Sequence, residues 1–115
     1  EPCYSNDLML MESSIWAALY RRDFLENNQI RMIESAGAAY QDGIFKFMIY
    51  SSTKTVVCIP DAVYDYRVMT TKSSSKSSKN WDAEFKNYAQ IKKWLMEHKK
   101  FEIFKNAFYL QPFLL

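Results

Sequence analysis

Between Lys72 and Lys79 the chain reads Lys-Ser-Ser-Ser-Lys-Ser-Ser-Lys and offers no apolar side chain to bury, so a solvated loop is expected there. Any core must be assembled from the two flanks. Those flanks are rich enough to build one, because hydrophobic residues make up 49% and aromatics 17% of the 115 residues. A chain of this length and composition is expected to form a single domain over residues 1–115, with a helix plus sheet in 1–71, the Ser/Lys loop in 72–79 and a helical part in 80–115.

In the N-terminal flank, Ser5, Asn6 and Asp7 provide N-cap chemistry, and Leu8, Met11, Ile15, Ala18 and Leu19 recur at helical spacing up to Arg21-Arg22-Asp23. A first helix is expected there. Beyond Asn27-Asn28 the pattern changes to alternation. Residues 29–35 set Ile30 and Met32 against Arg31; Asp42-Gly43 has the chemistry of a tight hairpin turn; residues 44–50 place Phe45, Phe47 and Ile49 on one face. The β-branched run 55–59 and the alternating run 62–70 extend the series, separated by Pro60-Asp61. The fold class expected is therefore α+β: a mostly antiparallel sheet of about four strands in a meander, packed on an N-terminal helix and one or two C-terminal helices.

After the loop, Trp81, Phe85, Tyr88, Ile91 and Leu95 step by four, three, three and four, the stripe of an amphipathic helix ending near Lys99-Lys100. Phe101, Phe104 and Phe108 continue at helical spacing before Gln111-Pro112, which predicts a short docking helix. No run of about 18 apolar residues occurs, so no membrane span is expected.

The chemistry-bearing residues are scarce. One histidine, His98, two cysteines, Cys3 and Cys58, and two glycines, Gly37 and Gly43, leave little from which to build a metal shell, a His-assisted nucleophile or a phosphate-cradling loop. No cofactor or metal site is expected. Asp61 and Asp65 form the nearest carboxylate pair, and both read as polar-edge residues of a strand rather than as groups held across a cleft. His98, one turn from Trp94 and beside Glu97, reads as a surface or semi-buried side chain without chemistry.

Charge is unevenly distributed: residues 1–71 carry six Lys/Arg against nine Asp/Glu, and residues 72–115 carry nine Lys against four acids. Lys79, Lys86, Lys93 and Lys100 recur every seven residues with Lys92 and Lys99 beside them, a stripe suited to an anionic partner. The absence of Arg from it weakens the case for nucleic acid, because Arg supplies the bidentate and stacking contacts. The start at Glu1-Pro2-Cys3, without an initiator methionine, fits a mature secreted chain or an excised piece of an intracellular one equally well. In an oxidising compartment Cys3 and Cys58 are able to pair, closing a loop of about 55 residues and adding about 2–4 kcal/mol, whereas in the cytosol they read as a free N-terminal thiol and a buried strand thiol.

Tyr40-Gln41-Asp42-Gly43-Ile44-Phe45-Lys46-Phe47 resembles the second-strand segment of ubiquitin-conjugating-enzyme-like domains, and Ile59-Pro60-Asp61 with Tyr64 resembles their proline-rich turn. The likeness covers under a fifth of the chain. The chain departs from those domains in having no His-Pro-Asn stretch, in placing its proline turn a strand later, and in carrying Cys58 inside a β run. The related RWD domains, non-catalytic and built as helix, meander and closing helices, match the element order better. What the resemblance implies is a catalytically inactive ubiquitin-conjugating-like or RWD-like interaction module.

Taken together, these features lead to the expectation of a non-enzymatic, protein-binding domain of the secreted effector or virulence type, acting on a partner outside the producing cell. Its alternative is nucleic-acid or anionic-surface binding through the lysine stripe. A Tyr/Trp-lined hollow for a carbohydrate or small ligand is a variant of the first.

Overall fold

The computed structural model describes residues 14–34, 41–67 and 81–110. Among these residues a 3₁₀ turn, Ile15–Ala17, is followed by four α-helices: α1 (Arg22–Asn27), α2 (Gln41–Ser52), α3 (Trp81–Glu97) and α4 (Phe101–Leu110). No strand is present among the described residues, which overturns the α+β expectation and its meander of about four strands. The sheet implied by the ubiquitin-conjugating-like resemblance falls with it.

The largest correction is at residues 44–50, the expected second strand, which form the middle of α2. A continuous apolar run satisfies a two-residue and a 3.6-residue period alike, and here the helical one prevails. Ile44, Phe47, Met48 and Ser51 are buried at helical spacing, and Phe45, Lys46 and Ile49 are buried beside them. A helix enclosed on all sides can carry such a run. Asp42-Gly43, read as a hairpin turn, is the first turn of this helix, where the Gly43 N–H donates to Asp42 Oδ1 at 3.0 Å. The acidic side chain also suits the positive end of the helix dipole.

Around α2 the other elements are laid in sequence. α3 packs against α2, α4 against α3, and the 3₁₀ turn against the remaining flank of α2. Ile91 and Leu95 carry the α3 stripe into the core, while Phe85, assigned to the same stripe, is 73% exposed. Phe104, Ala107 and Phe108 bury the face of α4. Phe108 joins three helices, its ring meeting Phe47 at 6.4 Å, Tyr88 at 5.6 Å and Phe101 at 5.7 Å, each edge to face. Such arrangements add about 0.5–1.5 kcal/mol per pair beyond the area buried.

The N-terminal region also departs from expectation. Residues 8–13 of the predicted first helix lie outside the described residues, and its C-terminal part is the 3₁₀ turn, ended by extended backbone at Ala18 (φ −147°, ψ 159°). The polar residues read as that helix's end begin α1 instead. Arg21 grips Asp23 through Nε at 3.1 Å and Nη2 at 2.6 Å, and Arg22 reaches Glu26 at 2.9 Å. These exposed pairs contribute little energy. Phe24 and Leu25, half-buried against the core, anchor the helix.

α1 and α3 end in the same way. Gln29 and Lys99 take left-handed backbone conformations, with φ of 54° and 56°. The following amides, of Ile30 and Lys100, donate back to the carbonyls of Leu25 and Leu95 at 2.9 and 2.8 Å. This is the Schellman closure, for which glycine is the usual residue. In α1 it drives Ile30 into the core, so the residue assigned to a strand at 29–35 is buried as a helix cap, and residues 30–34 form no strand.

Residues 55–59 and 62–67, the remaining expected strands, carry neither helix nor strand, and every residue from 54 to 67 is exposed. Residues 68–70 and the Lys72–Lys79 loop lie outside the described residues.

Candidate functional site

The segment 54–67 leaves the C-terminal end of α2 and returns along the 3₁₀ turn. Its β-branched and aromatic side chains would ordinarily be covered by a sheet. Here Val57 is 81% exposed, Ile59 63% and Val63 76%. What holds the segment is Trp16, whose ring stacks on Tyr64 (centroids 4.5 Å apart, 21° between planes) and on Tyr66 (5.1 Å, 10°). Two tyrosines two residues apart on one indole is the placement that strand-like alternation produces. All three rings remain partly open to solvent.

Behind Trp16 the 3₁₀ turn covers part of α2 and leaves a hollow of about 40 Å³ lined by Ile15, Tyr20, Phe45, Lys46, Ile49 and Tyr50 among others. That is room for a water or two. A sugar or drug-sized ligand needs several hundred Å³. Burial raises the phenols of Tyr20 and Tyr50 above the usual range, with the neighbouring Tyr50 adding to the effect at Tyr20 and Cys58 adding to it at Tyr50. The buried Lys46 forms part of the wall of this hollow.

The lysine stripe is divided by the fold. Lys86 and Lys93 are exposed on one face of α3, about 10.5 Å apart along the axis. Lys93 has Glu97 3.9 Å away. Lys92, a third of a turn round, places its Nζ 5.6 Å from the Phe101 ring centroid. Lys99 is the exposed left-handed residue of the α3 closure. Lys100 turns back to the core, its Nζ donating to Ser52 Oγ at 3.3 Å and lying 5.5 Å from the Trp94 ring centroid, and burial lowers its pKa. Lys79 lies outside the described residues. Among the five described lysines of the stripe, Lys86 and Lys93 share a face with Lys92 beside it, while Lys99 and Lys100 leave it because residues beyond Glu97 no longer follow the helical period.

His98 stacks on Trp94 at 3.9 Å and its Nδ1 lies 2.8 Å from the Trp94 carbonyl oxygen, so it serves the α3 terminus. Asp61 and Asp65 are exposed on the 54–67 segment. Cys58 is exposed on the same segment, and Cys3 lies outside the described residues. Among the described residues no group of three or more His, Cys, Asp or Glu side chains is placed to hold a metal ion. No described helix is long and apolar enough to cross a membrane.

The stacking of Trp16 on Tyr64 and Tyr66 has no local signal in the sequence. Compared with protein-family models, with curated proteins and with solved structures, the chain matches none.

Proposed function

We propose that this protein binds another protein through the surface formed by residues 54–67 and Trp16. The observation that carries the reading is the exposure of Val57, Ile59 and Val63 in a continuous exposed segment braced by stacked aromatic rings. Scattered apolar side chains on a surface are ordinary, whereas a contiguous apolar run marks a contact site. Tyr and Trp are also the residues that most often anchor interfaces, since they bring large area at small entropic cost. The small hollow behind Trp16 favours a surface contact over capture of a small ligand.

Photo-crosslinking tests this. A photoreactive residue at Val57 or Val63 should form a discrete protein adduct in extracts of the relevant cells, and the same residue at Gln90, exposed on α3, should not. The adduct should disappear in a Tyr64→Ala, Tyr66→Ala background that keeps its helical circular dichroism. Equal labelling from all three positions would overturn the reading.

A further inference from the structure

We propose that residues 61–67 pair with the same residues of a second copy of this chain, antiparallel about Tyr64, forming a two-stranded ribbon that closes over Trp16. The inference rests on the reading of 54–67 as a contact surface and names an occupant for its C-terminal half.

Three observations lead to it. Val63, Tyr64 and Tyr66 are β-forming residues, and among the described residues no hydrogen bond is made by residues 56–67, which leaves their backbone donors and acceptors for a partner strand. The stacking of Tyr64 and Tyr66 on Trp16 assigns those two side chains to the protein face, and alternation assigns Asp61, Val63, Asp65 and Arg67 to the outer face. A ribbon with one aromatic face on its own protein and one face in water, charged but for Val63, is the form an antiparallel pair takes.

Charge then selects an antiparallel partner and leaves two registers, about Tyr64 and about Tyr66, of which only the first pairs all of residues 61–67 with one another. Antiparallel pairing about Tyr64 sets Asp61 of each copy opposite Arg67 of the other, two attractive pairs by symmetry. Parallel in-register pairing would set Asp61 on Asp61 and Asp65 on Asp65. Antiparallel pairing about Val63 would set Asp61 on Asp65, and pairing about Asp65 would set that residue on itself. The self-complementary arrangement therefore needs no foreign sequence. Pro60, with no N–H to donate, ends the ladder on its N-terminal side. A ladder this short gives a weak dimer, formed in proportion to concentration.

Sedimentation equilibrium of the full chain, with reductant present so that Cys58 cannot cross-link copies, tests the proposal. The wild type should dimerise at high concentration. Arg67→Asp should weaken dimerisation about tenfold by converting both attractive pairs to repulsive ones. The double variant Asp61→Arg, Arg67→Asp should restore it to near the wild-type value, with circular dichroism unchanged throughout. A wild type that stays monomeric, a dimer indifferent to Arg67→Asp, or a loss that the double variant does not restore would each overturn it. Recovery with Asp65→Arg, Arg67→Asp instead would point to pairing about Tyr66 and overturn the register. A monomeric chain that still forms the Val63 adduct with a different protein would sink this inference alone and leave the contact-surface reading standing.

Discussion

The rings of Trp16 and Tyr64 lie 4.5 Å apart and 21° from parallel, holding the exposed 54–67 segment against the helical body. Removing either ring should release the segment. Trp16→Ala and Tyr64→Ala should each cost about 1 kcal/mol, and the double variant should cost less than their sum by about 0.5–1.5 kcal/mol, the range of a stacked pair. Urea unfolding of the four proteins measures the coupling. Strict additivity would mean that the contact contributes nothing.

Phe108 is the ring through which α2, α3 and α4 meet. Phe108→Ala should destabilise by about 3–5 kcal/mol, a large share of the stability of any domain this size. Tyr109→Ala, one position on and exposed, should cost far less. Comparable losses from the two would place the core elsewhere.

Gln29 and Lys99 hold positive φ without the freedom of glycine. Gln29→Gly and Lys99→Gly should each stabilise by about 0.5–1 kcal/mol, since the left-handed strain is relieved at a helix end where glycine's entropy cost is smallest. Gly43→Ala should act in the same direction and by a similar amount. A β-carbon at Gly43 meets nothing within 4 Å, and alanine is the better helix former. Thermal midpoints report all three, and a lowered midpoint for Lys99→Gly would contradict the closure described.

Stability should pass through a maximum near the tyrosine range on the alkaline side. Burial holds Lys100 below the ordinary lysine value of 10.5, so just under that value the unfolded chain binds more protons and stability rises with pH. Tyr20 and Tyr50 are raised above the ordinary 10.0. Their contribution is complete below that value and lost as pH climbs through the folded-state values. Lys100→Met should flatten the rise, and Tyr50→Phe should soften the fall. Urea midpoints between pH 8 and 12, with about one-unit spacing, measure both slopes; unchanged slopes in the variants would assign them to other groups.

The C-terminal helices were legible in the sequence because charged residues interrupt their apolar stripes and leave one period visible: Ile91 and Leu95 in α3, Phe104 and Phe108 in α4. Residues 44–50 hid their conformation because a helix buried on all faces has no polar side to mark its period. Residues 55–59 and 62–67 were misread for a different reason. Their local preference is for β structure, and a strand needs a neighbour that the described chain does not supply. The candidate surface was legible only in composition. Its abundance of Tyr and Trp suggested contact work, but the meeting of Trp16 with Tyr64 and Tyr66 depends on long-range packing that no spacing rule encodes. Of the lysine stripe, Lys86 and Lys93 keep the helical period, whereas Lys99 and Lys100 leave it because they lie past the end of the helix.

The run 55–59 between Lys54 and Pro60 carries a hazard of its own. Five β-forming residues, uncharged and open to solvent, are the type of sequence that seeds cross-β fibrils, and the flanking cation and imino acid are the gatekeepers that discourage stacking. Replacing either bordering side chain would remove one of the two guards on that run.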